Sequence, residues 1–311
     1  MTYRPRGVFA RALYDKVNND QYLERYDMKL WYRLPTELPE RFQSKFVQLD
    51  EPDDITKVWL DKAKVLSANL WLQIWHIVAR LFLATFMTQT DVNGLLKRGS
   101  MFILSENQFK DLLTAGGFLP SNFSNETMID ILDIGAGDGE VTSRLAKAVI
   151  HMGNDILLKV YATEYSWTMR DRLQKKQFTV IDKLSNVSNV HLISCLNVLD
   201  RCSDPHQIMK DIYNALDPKG RAIVALVLPY SHYVESNSSH LPIKPLLPHW
   251  PQRQNVAFGD EATVFFEQLE LMGFNIEAWT KAPYLCEGDL RQSFYWLIDV
   301  VVVLSKKPGF S

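Results

Sequence analysis

The sequence predicts an α/β fold in which a seven-stranded sheet carries helices on both faces and is preceded by a helical N-terminal extension. Three observations carry that prediction. The apolar run Ile131-Leu132-Asp133-Ile134 ends in alternating glycines, Gly135, Gly137 and Gly139, and then enters a helical pattern. From there to residue 228, short strand-like and helix-like stretches alternate, as in a parallel sheet. Two last apolar runs, residues 274–279 and 295–304, read as a terminal antiparallel pair. The sum is a Rossmann-like sheet.

Residues 1–55 are rich in Arg, Tyr, Pro and Glu and show no clear period, which predicts an irregular arm or short helices. A helical cap region follows over residues 56–120, and residues 121–311 form the sheet domain. Over residues 54–87, Val58, Leu60, Val65, Leu70, Ile74, Ile77, Val78, Leu81 and Phe82 recur at helical spacing, which fits two helices or one bent helix. Residues 71–87 form the most apolar run and read as a buried helix. The run is too short for a membrane span, and its polar face is too sparse for the basic stripe of a membrane-surface helix. Gly94 and Gly99 then break the pattern, and Ser105-x-x-Gln108 is a capping box before Phe109, Leu112 and Leu113.

Beyond the first strand, Val141, Leu145 and Ala148 line one side of a helix, and residues 156–162 form the second strand, ending at Glu164. Ser166 caps the next helix, with Met169 and Leu173 on its apolar face. Residues 178–181 and 190–196 are the third and fourth strands. Ser203 caps a helix that has Pro205 in its first turn. Residues 221–228 make a fifth strand, and residues 229–260 form a long irregular segment, of the kind that is usually functional. The last helix covers residues 263–272 and stops at Gly273.

The bulk numbers exclude several classes. With 311 residues, 47% hydrophobic and 23% charged, the chain is of ordinary globular composition. A net charge of -2 argues against a large basic face for nucleic acid. Three cysteines without C-x-x-C spacing indicate neither a disulfide framework nor a zinc site, and the seven histidines show no metal spacing, so no metal is expected. The N-terminus lacks the apolar core of a secretory signal. A cytoplasmic monomer is the expectation.

The glycine turn lets backbone approach a nucleotide-like cofactor while the first helical N–H groups point at it. A dinucleotide turn reads G-x-G-x-x-G; here the third glycine comes one residue early, and Glu140 stands where it would be needed. Asp133, Asp138 and Glu140 would repel a pyrophosphate but suit S-adenosylmethionine (SAM), which carries an ammonium and a sulfonium. The fold class is therefore a class I methyltransferase sheet, with Asp133, Gly135 and Gly137 beneath the cofactor. Glu164 stands where an acid accepts hydrogen bonds from both ribose hydroxyls; a helix-start acid favoured by the dipole is the alternative. Strand four runs into Asn197-Val198-Leu199-Asp200-Arg201. Ligands bind beyond the carboxyl ends of strands, so Asn197, Asp200 and Arg201 face the methyl donor. An Asp200–Arg201 surface ion pair is the competing reading. Enzymes that methylate adenine or glutamine carry Asn or Asp, then Pro-Pro and an aromatic, at this place, so those substrates are disfavoured. Arg98 is a candidate for binding a carboxylate of cofactor or substrate.

The motifs Leu95-Leu96-Lys97-Arg98-Gly99-Ser100-Met101-Phe102, Leu132-Asp133-Ile134-Gly135-Ala136-Gly137-Asp138-Gly139-Glu140, Cys195-Leu196-Asn197-Val198-Leu199-Asp200-Arg201-Cys202 and Pro283-Tyr284-Leu285-Cys286-Glu287-Gly288-Asp289 resemble the DREV family, that of methyltransferase-like protein 9, over residues 60–306. The vertebrate members begin with an apolar, signal-like segment that does not precede these motifs here. The resemblance implies a protein-histidine N-methyltransferase that uses SAM on the pros (Nπ) nitrogen of His-x-His sequences with x small. It also implies cofactor contacts from Glu164, Asn197 and Tyr284, and places Asn197 and Asp200 close to the target imidazole. The chemistry asks for no strong base, because imidazole is mostly neutral at pH 7. A carboxylate that accepts the Nτ–H leaves Nπ free, and Asp200 is assigned that role. A small-molecule methyltransferase and a non-catalytic SAM-binding scaffold are the alternatives.

Overall fold

In a computed structural model, residues 5–123, 128–234, 240–248 and 256–309 are described. The strands are β1 (Met101–Phe102), β2 (Met128–Ile134), β3 (Leu157–Thr163), β4 (Thr179–Val180), β5 (Val190–Leu196), β6 (Leu216–Leu228), β7 (Phe274–Glu287) and β8 (Phe294–Lys306). They form one sheet in the order β1-β7-β8-β6-β5-β2-β3-β4. β2 to β6 are parallel, and β8, β7 and β1 join antiparallel. Seven of these strands are the predicted ones. The eighth, β1, places Met101 opposite Cys286 and Phe102 opposite Leu285; two residues are too few to show a period. β7 runs past residue 279, where the sequence reading ends it, and through Pro283 to Glu287. Proline is tolerated at an edge, and β1 pairs only with residues beyond Pro283.

Strand residues alternate between two cores. Ile131, Leu192, Ile223 and Val301 join one, and Leu132, Ile193, Val224 and Val302 join the other. Both faces are therefore covered, which explains why these strands read as unbroken apolar runs. The flanking helices are α6 (Glu106–Ala115), α7 (Glu140–Ile150), α8 (Trp167–Lys175), α9 (Pro205–Ala215) and α10 (Phe258–Leu271). The Ser105–Gln108 capping box and the Ser166 cap are present. The cap of α9, however, is Asp204, whose carboxylate accepts from the Gln207 N–H, and not Ser203.

The N-terminal region departs from expectation in two ways. First, residues predicted to be irregular or in short helices include an 18-residue helix, α1 (Val8–Arg25), followed by a short α2 (Glu40–Gln43). α1 is held from outside: Lys16 Nζ donates to Ser67 Oγ at 2.9 Å and Ser293 Oγ at 3.0 Å. Trp31 and Tyr32 are fully buried in the sheet core, and Trp279 Nε1 donates to the Phe42 carbonyl at 2.7 Å. Second, the apolar run over residues 71–87 is not buried. α3 (Asp54–Ala68) and α4 (Leu70–Leu83) meet at Asn69 with a 76° bend. α4 buries its polar residues Gln73 and His76 and exposes Trp71, Trp75, Val78, Leu81 and Phe82. No single helix among the described residues is long and apolar enough to cross a membrane. α5 (Gln89–Leu96) returns the chain to the sheet and packs on the start of α8.

Candidate active site

The turn between β2 and α7 places Gly135, Gly137 and Gly139 at φ of 70°, 54° and 74°, the left-handed region that side chains resist. A Cβ on Gly135 would lie 2.6 Å from Val198, whereas one on Gly137 would meet nothing within 4 Å. Gly137 therefore borders open space, a cradle that only glycine leaves clear. The Gly135 and Ala136 amides donate to the Thr163 carbonyl, both at 3.0 Å, which ties the turn to the end of β3.

Glu164 follows directly. Its Oε2 accepts from the Gly137 amide at 2.9 Å, and its Oε1 accepts from the amides of Tyr165 at 2.8 Å and Ser166 at 2.9 Å. Three backbone donors fix the carboxylate beside the cradle, and a carboxylate has about four acceptor positions. Capacity remains for a ribose hydroxyl.

The acids of the turn are arranged differently from what the charge argument assumed. Asp133 is buried, with Oδ1 accepting from Ser194 at 2.7 Å and Oδ2 from Thr142, and burial pushes its carboxyl up to about 6. It braces the turn against β5 and α7. Asp138 lies 3.4 Å from Arg172, and Glu140 lies 2.8 Å from Lys176. Both negative charges are answered within the protein, so repulsion of a pyrophosphate is not what selects the cofactor.

A second group gathers at the ends of β5, β7 and β8. Asn197, just past β5, takes φ 56° and donates from Nδ2 to Asp299 Oδ2 at 2.7 Å. Asp299 is fully buried on β8, and burial pushes its carboxyl up to about 8, with the Asn197 hydrogen bond opposing. Asp200 is also buried; its Oδ2 stands 3.5 Å from Arg201 Nε, and burial raises its pKa while Arg201 opposes. The Arg201 guanidinium carbon lies 5.9 Å from the ring centre of Tyr284 on β7, and the Tyr284 hydroxyl donates to the Met101 sulfur. Three buried oxygens in this group, Asn197 Oδ1, Asp200 Oδ1 and Asp299 Oδ1, have no hydrogen-bond partner. Buried acceptors are rarely left so. A donor-rich cation such as the SAM ammonium fits Asn197 Oδ1, and the open cradle and Glu164 fit its nucleoside.

Of the sites predicted from sequence, Gly135, Gly137 and Glu164 thus meet at the turn with Asp133 beneath it, and Asn197, Asp200, Arg201 and Tyr284 meet at the strand ends. Arg98 is elsewhere. Its Nη2 donates to the Gly288 carbonyl at 2.5 Å, and it lines a cavity of about 140 Å³ with Gln73, His76 and Glu287. Asp299 was missed, although a lone acid inside the apolar run of β8 is a signal. The irregular segment after β6 also reaches the site: the Tyr233 amide donates to the Asp200 carbonyl at 2.8 Å, and Val234, Leu246 and Leu247 are buried. The remainder of that segment, residues 235–239 and 249–255, lies outside the described residues.

A parallel sheet closed by an antiparallel pair, with a glycine turn after its first parallel strand and an acid after its second, defines a SAM-dependent methyltransferase. The family model for DREV methyltransferase matches residues 31–306, and the chain belongs to that family. Among solved structures it is similar to the TehB-like SAM-dependent methyltransferase from Corynebacterium glutamicum, at 20% identity over 58% of this chain and 80% of that one, with a TM-score of 0.36. It is also similar to the trans-methyltransferase CalH in complex with SAH, at 13% identity over 81% and 73%, with a TM-score of 0.45. The [4+2]-cyclase SpnF matches at 14% identity over 65% and 82%, with a TM-score of 0.40.

Proposed function

We propose that this methyltransferase modifies the pros nitrogen of histidine in His-x-His sequences of proteins, x being small. The observation that carries the reading is the unpartnered Oδ1 of buried Asp200, at the end of β5 beside Asn197. The resemblance of the Asn197-Val198-Leu199-Asp200 stretch to protein-histidine methyltransferases supports it.

SAM, when bound, supplies an electrophilic methyl group on a sulfonium. The rest falls to the protein. Asp200 accepts the Nτ–H of the target imidazole, which selects the tautomer whose Nπ lone pair is free, and its charge stabilises the imidazolium as Nπ gains the methyl. Arg201, against Asp200, favours the ionised carboxylate. Glu164 orients the ribose, and Asn197, held by Asp299, presents its amide oxygen to the ammonium. The segment around Tyr233, whose amide donates to the Asp200 carbonyl, stands beside the place where the peptide would bind. Arg98 remains a candidate for a substrate carboxylate from its own cavity beside Glu287 and Gly288.

The test is mass spectrometry of a His-Ala-His peptide incubated with the protein and SAM, with Lys-Ala-Lys as control. One methyl on histidine alone is the expected result. No transfer, despite SAM binding by calorimetry, would favour a small-molecule substrate or a binding scaffold.

A further inference from the structure

α4 is an amphipathic helix turned inside out. Gln73 and His76 face the protein, and Gln73 Nε2 donates to the Leu66 carbonyl at 2.9 Å. Trp71, Trp75, Val78 and Phe82, spaced three and four apart on one stripe, face solvent, Trp71 at 82% and Phe82 at 68% exposure. Leu81 and Phe86 widen the stripe, at 72% and 76% exposure. Aromatic side chains of this size expose well over 100 Å² each, so the patch exceeds the few hundred Å² that a soluble surface ordinarily leaves apolar.

Between Asp61 and Asp91 the chain carries no acidic residue, while Lys62, Lys64 and Arg80 are exposed; Asp61 stands 3.6 Å from Lys64. A second copy docked on this face would bring Lys62 and Arg80 together with no acid in the stretch to answer them, Asp61 being paired with Lys64. Phosphate- and carboxylate-bearing headgroups supply the missing charge, and tryptophans settle at the boundary between headgroups and acyl chains.

We propose that the outer face of α4 docks the protein on an anionic lipid surface. The helix lies in the plane of the interface with Trp71, Trp75 and Phe82 inserted, and Arg80 extends its charge past the apolar face to the headgroups. The short return through α5 then keeps the methyltransferase sheet close to that surface, which would favour substrates held at a membrane. The docking does not depend on which atom is methylated.

Vesicle flotation of the full chain tests it, with vesicles of phosphatidylcholine alone or with about a third phosphatidylserine. Expected are co-flotation with the anionic vesicles, loss of more than about tenfold in apparent affinity in the Trp71→Ser/Phe82→Ser variant, and loss of the preference for phosphatidylserine in Lys64→Glu/Arg80→Glu. Melting by circular dichroism checks that the variants fold; these side chains are exposed, so the midpoint should stay. No flotation with either vesicle overturns the proposal, and so does flotation that the variants leave unchanged. Light scattering supplies a further outcome against it: a dimer that Trp71→Ser/Phe82→Ser dissociates, with no vesicle binding, would assign the face to a second copy.

Discussion

Asp200 and Glu164 are both acids at strand ends, yet their surroundings fit them for different work. Glu164 is saturated on its protein side by three amides and is held as a fixed acceptor. Asp200 has one oxygen near Arg201 and one without a partner. Replacing Asp200 by Asn keeps the shape and removes the charge that, in the proposed reaction, answers an imidazolium. Calorimetry should therefore find SAM affinity within about twofold of the parent, while turnover of a His-Ala-His peptide falls on the order of 10²- to 10³-fold. A parallel loss of SAM binding would instead make Asp200 a cofactor residue. In the proposed reaction turnover also needs Asp200 ionised and the imidazole neutral, so it rises with pH. Burial moves the Asp200 limb upward from the ordinary carboxylate range, and in Asp200→Asn only the imidazole limb, near pH 6.5, should remain. Glu164→Gln should show the reverse pattern, with SAM affinity weakened about tenfold or more because a ribose hydroxyl loses a charged acceptor.

The turn between β2 and α7 shows how one sequence element carries separate duties. Gly135 is packed against Val198 and Gly137 borders the cradle. Alanine costs about 1–2 kcal/mol at either for the left-handed conformation alone. Gly135→Ala adds a steric clash inside the fold and should lower the denaturation midpoint more. Gly137→Ala should stay nearer that base cost and lose SAM affinity more. Equal effects on both measurements at both sites would refute the division. Elements of this kind were legible in the sequence because their signals are local. Alternating glycines, the Ser105–Gln108 box and unbroken apolar strands each specify their structure within a few residues. What was not legible depends on partners far away in sequence. α1 has few apolar contacts of its own and is held by Ser67 and Ser293 through Lys16. The cap of α9 fell to Asp204 where two adjacent polar residues offered equal signals. β1 exists only because residues 285 and 286 present a free edge. Asp299 could be seen in the sequence, but its bond to Asn197 could not. For α4, composition says apolar and only the assembled fold shows which side is turned out.

On the scale of the whole molecule, the N-terminal segment is part of the sheet's core and not an appendage. Trp31 is fully buried, its ring against Phe294 and Trp296 of β8, so Trp31→Ala should cost about 3–5 kcal/mol by denaturant titration, as a large core cavity does. Two buried acids set a second molecular property. Burial pushes Asp133 up to about 6 and Asp299 up to about 8, both above the 3.8 of the ordinary group. Between those values the folded state holds protons that the unfolded chain has released. Stability then falls with rising pH, through both acids from about 3.8 to about 6 and through Asp299 alone from there to about 8. Their contribution is fully present only below the unfolded value of 3.8 and is lost by about pH 8. Asp299→Asn keeps an oxygen for the Asn197 amide and removes the titration. Chemical denaturation at pH 5 and pH 8 should show the parent losing stability across that interval and the variant losing less, by an amount on the order of a few kcal/mol. Comparing the two differences cancels every other titrating group. An unchanged difference would mean that Asp299 ionises in the folded protein as freely as in the unfolded chain, and that the buried Asn197–Asp299 pair is charged when the enzyme works.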